Sequence, residues 1–277
     1  MGLKINTNVA GLKTTRILRN STLQLNKSLE RLSSGLRVNR AADDAAGLAI
    51  AEGFRSVHRG AVVAQRNAQD GISLVQTAEG ALSETINMLQ RIRELAVQSA
   101  NGTNSPQNRI DLNLEVQQLF QQIDTVAQDT EFNGVKLLDG VAGSVVLQVG
   151  PSASTVLSIT FATAMSVLGL GLDPLRAAGV LTEQDSRDIL QPLTNALNLV
   201  NNQRSTLGAA QNRLEFTINS LQIQEENAVS SESAIRDADI GRETITFTRN
   251  QILVSAGTSI LAQANVIPQT ALQLLGG

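Results

Sequence analysis

The sequence predicts a mainly α protein: a long antiparallel helical bundle or coiled coil formed by the N- and C-terminal halves, with a small β-hairpin region near the middle of the chain. Three observations predict it. Four of the five prolines (Pro106, Pro151, Pro174, Pro192) lie between 106 and 192, so that only Pro268 falls outside and residues 1–105 and 193–267 contain none. Interior proline breaks a helix, which leaves both flanks free to be long helices. Apolar side chains recur in alternating steps of four and three in several stretches of the chain, the rhythm of a helix seam. Aromatic residues are nearly absent, with six Phe and neither Trp nor Tyr. Compact globules and ligand pockets lean on large rings for buried area, whereas an Ala- and Leu-rich chain suits helices packed at close range.

In chain order, Leu18, Leu25 and Leu32 interleave with Leu29 and Leu36. Val75, Leu82, Ile86, Leu89 and Ala96 form a second stripe, and Leu112, Val116, Leu119, Ile123 and Val126 a third. The longest seam runs through Leu193, Leu197, Val200, Arg204, Leu207, Gln211, Leu214, Ile218, Leu221, Glu225 and Ala228. A continuous helix over 193–267 would extend roughly 110 Å at ~1.5 Å per residue, longer than a globule of this chain length, so the expected shape is a rod. No short partner covers such a seam, and the two proline-free flanks are expected to cover each other. Between them, NGVKLLDG (133–140) reads as a turn and approach, and SVVLQVG (144–150) and STVLSITFA (154–162) alternate like two strands around Pro151-Ser152-Ala153. GLGLDP (169–174) lacks the third glycine of a phosphate-binding loop, and Pro174 stands where the helix of such a loop should begin.

Composition removes several chemistries. Cysteine is absent, which excludes disulfides, thiolate nucleophiles and Cys metal sites. The single histidine, His58, has basic neighbours (Arg55, Arg59, Arg66) and reads as a surface histidine on a helix rather than a ligand or base. Asp43-Asp44, Asp237 with Asp239, and Glu225-Glu226 are the acidic candidates, but adjacent residues of a helix point in different directions. Arg236 and Arg242 stand near the second pair as ion partners, and no calcium-loop spacing is present. With no nucleophile, base and orienting group together, the expectation is no enzyme, no cofactor and no metal. Asn20-Ser-Thr and Asn101-Gly-Thr match the short glycosylation pattern. Residues 1–40 carry eight Lys or Arg (Lys4, Lys13, Arg16, Arg19, Lys27, Arg31, Arg37, Arg40) against Glu30, leaving −10 on the rest of the chain. No Phe lies in this arm to stack on bases, so a solvated or subunit-facing surface is favoured over nucleic acid. No apolar run approaches the ~20 residues that span a bilayer, and the N-terminus lacks a cleavable hydrophobic signal, which by ordinary secretion logic places the chain in the cytosol.

Three runs of residues carry a resemblance that changes that last expectation. SLERLSSGLRVNRAADDAAGLAIAEGF (28–54) is followed by RNAQDGISLVQTAEGALSETINMLQRIRELAVQSANGTNS (66–105), and the other end reads SAIRDADIGRETITFTRNQILVSAGTSILAQANVIPQTALQLL (233–275). In this order, over roughly 1–150 and 195–275, the chain closely resembles bacterial flagellin. The resemblance implies an inner terminal helical domain of residues 1–43 and 238–277, the filament core. It also implies a rod-like helical domain of 44–237 with a β-hairpin insertion at about 133–175, and no outer variable domain. The chain ends Leu274-Leu275-Gly276-Gly277 where many relatives end Leu-Leu-Arg, so nothing is carried over for the last two residues. It further implies a homopolymer whose terminal helices (Leu25, Leu29, Leu32, Leu36; Ile252, Ala256, Ile260, Ala264) order on assembly. Passage through the flagellar export apparatus with an export chaperone, without a cleaved signal peptide, then makes the protein extracellular, with cap and junction proteins as neighbours and no membrane insertion. The motif LQRIRELAVQ implies recognition by the vertebrate Toll-like receptor that senses flagellin, with Arg91, Leu95 and Gln98 on one helix face and Glu115 on the next helix. The same residues would pack against a neighbouring protofilament.

The nearest rival is a hook–filament junction protein, which shares the export route and the terminal helices. The LQRIRELAVQSANGTNS run and the AGTSILAQAN–Pro268 ending speak for flagellin. A cytosolic coiled-coil adaptor or nucleic-acid scaffold would account for the heptads and the basic arm, but not for two matched ends.

Overall fold

The computed structural model describes residues 7–161 and 163–275, and the side chains of these as far as 266. Among the described residues, seven helices and four strands follow in the order α1 (Val9–Ser34), α2 (Ala45–Ser99), α3 (Pro106–Asp129), β1 (Glu131–Phe132), β2 (Val135–Lys136), β3 (Gly143–Gln148), β4 (Val156–Phe161), α4 (Asp173–Ala178), α5 (Glu183–Asp188), α6 (Leu190–Arg236) and α7 (Ile240–Leu275). The chain forms two compact units, one of residues up to Ser56 with those from Asn227 onward, the other of Val57–Glu226. Lys4 and the glycines 276 and 277 lie outside the described residues.

The Val57–Glu226 unit holds the main apolar core. The long seam of α6 is buried as its spacing predicts: Leu193, Val200, Leu207 and Leu214 are fully buried, and Leu197 and Ile218 pack partly against the same core. Leu82, Leu89 and Ile92 of α2 and Val116, Phe120 and Ile123 of α3 complete it. Farther along, α2 and α6 meet through the small cluster Ala61, Ala64 and Leu221, two alanines of α2 against one leucine of α6. Helix α3 starts with a cap: Ser105 accepts a hydrogen bond from the Asn108 N–H, with Pro106 in the first turn. The first hairpin turns at Asn133-Gly134, and the second pairs β3 with β4 in antiparallel register from Gly143↔Phe161 to Gln148↔Val156. Leu157, Ile159 and Phe161 of β4 face the core while the residues between them are exposed, the period-2 pattern of a half-buried strand.

Two details depart from expectation. The proline-free stretch 193–267 is interrupted after Arg236, so α6 and α7 are separate helices. Helix α4 does begin at Asp173, with Pro174 in its first turn, where a missing N–H costs nothing. The short helices α4 and α5 have no counterpart in the sequence reading, because six-residue helices give no periodicity to count.

Candidate functional site

The unit containing both chain ends is an antiparallel pair of helices, α1 and α7. The register follows from three contacts. The Asn8 side-chain amide donates to the Ala264 carbonyl at 2.8 Å, Gly257 lies against Leu18, and Arg31 faces Glu243 at 3.6 Å. Asn8 also caps α1, its side-chain oxygen accepting from the Gly11 N–H at 2.8 Å.

The seam between these helices has an unusual composition. On α1 the inward stripe is Gly11, Thr14, Leu18, Ser21, Leu25, Ser28 and Leu32, in strict three-and-four spacing. Yet among the described residues the buried members of the pair are Gly11, Ser21, Ser28, Asn250 and Ala264, none of them a large apolar side chain. Leu18, Leu25 and Leu32 of α1 and Phe247, Val254 and Leu261 of α7 are half-buried, and other large apolar residues face outward. Leu12 is 67% exposed, Leu29 55%, Ile245 65%, Ile252 63% and Ile260 57%. Leu25, Leu32 and Leu36 are therefore half-buried against the pair, while Leu29, Ile252, Ala256 and Ile260 are exposed and Ala264 is buried. The stripe read from α7 by its spacing is for the most part its outer face. Apolar periodicity shows that a face must be covered, and it cannot say by what.

The two breaks in the helices lie side by side and hold each other. Gly35 ends α1 at φ 71°, a left-handed conformation that suits glycine, and its N–H donates to the Arg31 carbonyl at 2.8 Å. Leu36 then bridges Asp237. The Arg37 N–H donates to the Arg236 carbonyl at 2.6 Å, its guanidinium donates to the Ile235 carbonyl at 2.6 Å, and the Ala238 N–H returns to the Gly35 carbonyl at 2.9 Å. Arg37 thus satisfies carbonyls that the end of α6 would leave orphaned. Two of the three acidic pairs lie at this clasp, whereas Glu225 is in the other unit, accepting from the Gln65 side-chain amide at 2.8 Å. Asp43 pairs with Lys27 at 2.8 Å and accepts backbone N–H bonds from Asn39 and Arg40. The Lys27 ammonium and these N–H groups hold its carboxyl at about 2. Asp44 accepts from the Gly47 N–H, and Asp239 caps α7 by accepting from the Arg242 N–H at 3.1 Å. The ion partners expected for Asp237 are corrected here: Arg236 reaches Glu52 at 3.2 Å and Glu232 at 3.6 Å, and Asp237 accepts from the Ser233 hydroxyl.

In the other unit, Arg91 is exposed, its Nε donating to Glu115 at 2.8 Å and its Nη1 to Glu94 at 3.2 Å. The Glu115 carboxylate, and after it that of Glu94, raise the Arg91 pKa further. Gln98 is exposed and Glu115 partly so. Leu95 is not on this surface, which corrects the expectation of one face presenting all three. It is 1% exposed, because it continues the buried stripe of Leu82, Leu89 and Ile92. Residues four apart share a face, but 91 and 95 straddle its edge. His58 is half-buried rather than free on the surface, with Nδ1 3.6 Å from Glu225 Oε1. Arg109 escaped the sequence reading altogether. Buried in the first turns of α3, it donates to the carbonyls of Ser99 and Asn101 and to Glu183 at 3.3 Å. Nothing in its local spacing sets it apart from a surface arginine. Among the described residues, no three His, Asp or Glu side chains gather as a metal site, and no helix is long and apolar enough to cross a membrane.

These features match known proteins at both ends of the chain. Residues 5–142 match the bacterial flagellin N-terminal helical region, and residues 190–275 the bacterial flagellin C-terminal helical region. The flagellin of Halalkalibacterium halodurans is 45% identical over 271 residues, covering 98% of this chain and 99% of its own. The flagellar filament 31.3 kDa core protein of Treponema maltophilum is 40% identical over 284 residues, with 98% and 99% covered. Among solved structures, the flagellin of Bacillus cereus is similar at 31% identity and a TM-score of 0.51, covering 56% of this chain and 88% of that one. With both terminal regions matched in order and relatives aligned from end to end, the chain belongs to the bacterial flagellin family.

Proposed function

We propose that the chain is the structural subunit of a bacterial flagellar filament, a non-enzymatic protein that self-assembles into a helical tube for swimming motility. The observation that carries this reading is the exposed apolar face of the α1–α7 pair, where Leu12, Leu29, Ile245, Ile252 and Ile260 stand in solvent in addition to the half-buried leucines of the seam. Covering a Leu or Ile side chain is worth about 1.5–3 kcal/mol, so the outer face favours a polymer in which neighbouring copies bury it. In this reading residues 1–43 and 238–277 form the filament core, and 44–237 form the rod-like domain with the hairpin insertion at about 133–175 and no outer variable domain. The subunit leaves the cell through the flagellar export apparatus, accompanied by an export chaperone and without a cleaved signal, and meets cap and junction proteins outside. Helix content measured by circular dichroism rises as purified monomer elongates filament fragments, because the pair alone barely offsets the entropy of ordering. Electron microscopy of the same samples shows long uniform tubes. Short caps would favour the junction protein, and an unchanged spectrum would overturn the ordering on assembly.

The reading extends to recognition of the monomer by a vertebrate Toll-like receptor through Arg91, Gln98 and Glu115, with Leu95 supporting them from beneath. Its support is the exposure of Arg91 and Gln98 together with the Arg91–Glu115 contact. Arg91→Ala weakens a receptor reporter response by roughly thirtyfold, the equivalent of ~2 kcal/mol for an arginine at the centre of a contact. Arg66→Ala, an exposed cation off this strip, leaves it unchanged. Equal potency of the two variants would remove the assignment, and a silent wild type would remove the receptor from the list of partners.

A further inference from the structure

The turn between α2 and α3 has no role in the filament-subunit reading, yet it holds one of the two Asn-Gly pairs of the chain, Asn101-Gly102 and Asn133-Gly134. All four residues are exposed. A glycine after asparagine carries no Cβ, so its backbone nitrogen is free to approach the side-chain carbonyl that precedes it. The two pairs differ in what surrounds them. Asn133-Gly134 sits at the tip of the first hairpin at φ 49° and 79°, and among the described residues no hydrogen bond reaches either oxygen of Asn133. At Asn101 three donors converge. Its main-chain carbonyl accepts from Arg109 Nη2 at 3.1 Å and from the Asn104 N–H at 3.2 Å, and its side-chain Oδ1 accepts from the Thr103 N–H at 3.3 Å. Arg109 is buried and held on its other sides by the Ser99 carbonyl and by Glu183 at 3.3 Å. The Thr103 bond folds the Asn101 side chain forward over the Asn101–Gly102 peptide, and among the described residues the Gly102 N–H donates to nothing.

We infer that Asn101 is a self-modification site, where the turn promotes attack of the Gly102 nitrogen on the Asn101 side-chain amide and converts it through a cyclic imide to aspartate and isoaspartate. The Gly102 N–H gives its proton to hydroxide or another solvent base, and the charge left behind is shared with the Asn101 main-chain oxygen. Arg109 and Asn104 already donate to that oxygen, and donors fixed where charge develops lower a barrier without reorganising. The bond from the guanidinium is charge-assisted and is the stronger of the two. The nitrogen then bonds to Cγ, and the negative charge passes to Oδ1, where the Thr103 N–H donates. The Cγ–Nδ2 bond breaks as Nδ2 takes a proton from water and leaves as ammonia. Water opens the ring at either carbonyl, giving aspartate or a main chain routed through the former side chain. Nothing is oxidised or reduced, and water is the only reactant consumed. The product adds a carboxylate to a turn that Arg109 and Glu183 hold together, and its isoaspartate form lengthens the main chain there by one carbon.

The test is incubation of the full-length chain at neutral pH, folded and in urea, with peptide mass spectrometry and enzymatic methyl labelling of isoaspartate as readouts. Cleavage after Arg93, Arg109 and Lys136 places the two pairs in separate peptides, residues 94–109 and 110–136. In the folded chain Asn101 is converted roughly tenfold faster than Asn133, the scale of ~1.4 kcal/mol off a barrier. In urea the two rates converge, because glycine follows asparagine at both positions. Arg109→Gln slows Asn101 to the rate of Asn133, and Arg66→Gln leaves it fast. Equal rates in the folded chain, a slower Asn101, or a difference that survives urea would overturn the inference. So would a folded Arg109→Gln variant that keeps the fast rate. Where loss of this buried arginine unfolds the chain, the wild type with and without urea decides alone. Conversion to aspartate without isoaspartate would mean direct hydrolysis by water and would overturn the cyclic imide. The chemistry needs only the Val57–Glu226 unit, so a protein that forms no filament leaves the outcome unchanged.

Discussion

Deletion of residues 241–277 abolishes filament growth while the segment from 44 to 237 stays folded. The deletion removes nearly all of α7, and with it the partner of α1 and the exposed side chains Ile245, Ile252, Leu253 and Ile260. It leaves untouched the core in which Leu82, Leu89, Phe120, Val200 and Leu207 are buried. The two losses are separable because among its described residues the terminal pair fully buries no large apolar side chain, whereas the Val57–Glu226 unit buries many. Assembly that depends on mass action between copies disappears once the surface that couples them is gone. Seeded elongation watched by electron microscopy should show no extension at monomer concentrations where the full chain grows freely. Urea unfolding followed by circular dichroism should keep its main transition within the error of the wild type. A truncated protein that still polymerised would show that the copy-to-copy contacts lie in another part of the chain.

The second large effect lies in the core. Phe120→Ala lowers the stability of the Val57–Glu226 unit by about 3–5 kcal/mol, the cost of lost transfer energy plus the cavity left behind. Phe120 is fully buried, and in a chain with six Phe and no other aromatic residue few side chains carry comparable volume. Phe216→Ala makes the same chemical change on α6 at a position 74% exposed, and shifts stability by no more than about 0.5 kcal/mol. Urea midpoints of the two monomers measure the contrast directly. A loss below about 1 kcal/mol at Phe120 would mean that the surrounding helices collapse into the space, and that the core is less tightly determined than its burial implies.

Much of the fold was legible because helix seams write themselves into sequence at fixed spacing. The positions from Leu193 to Ala228 are the inward face of α6, every one buried or partly so, since only the side that meets a partner helix must be apolar or long enough to cover it. The alternation in 144–150 and 154–162 was legible for the same reason at period two: β4 lies within the second run, and β3 begins at Gly143, just before the first. The break between α6 and α7 was not, because it uses no proline. It is made by Asp239 capping the next helix and by backbone bonds to residues 35–38, and those partners lie about 200 positions away along the chain.

The sequence by itself determined the family, through two matched ends in order, and the class of fold, through proline-free flanks with heptad spacing. It also determined that the chain carries no cysteine chemistry and that net positive charge is concentrated in the first 40 residues. Only the tertiary structure decided which stripe of each helix is covered. Leu95 and Arg91 differ by about one turn in sequence, yet one is sealed in the core and the other exposed, because the position of α3 and α6 around α2 sets the boundary. The same holds for α1 and α7. Leu18, Leu25 and Leu32 line the seam half-buried between Gly11, Ser21 and Ser28, whereas Leu29, Ile252 and Ile260, which read as a core by spacing, are exposed. Close approach of two backbones favours small side chains at its tightest points, and the exposed apolar face is left to whatever packs there next.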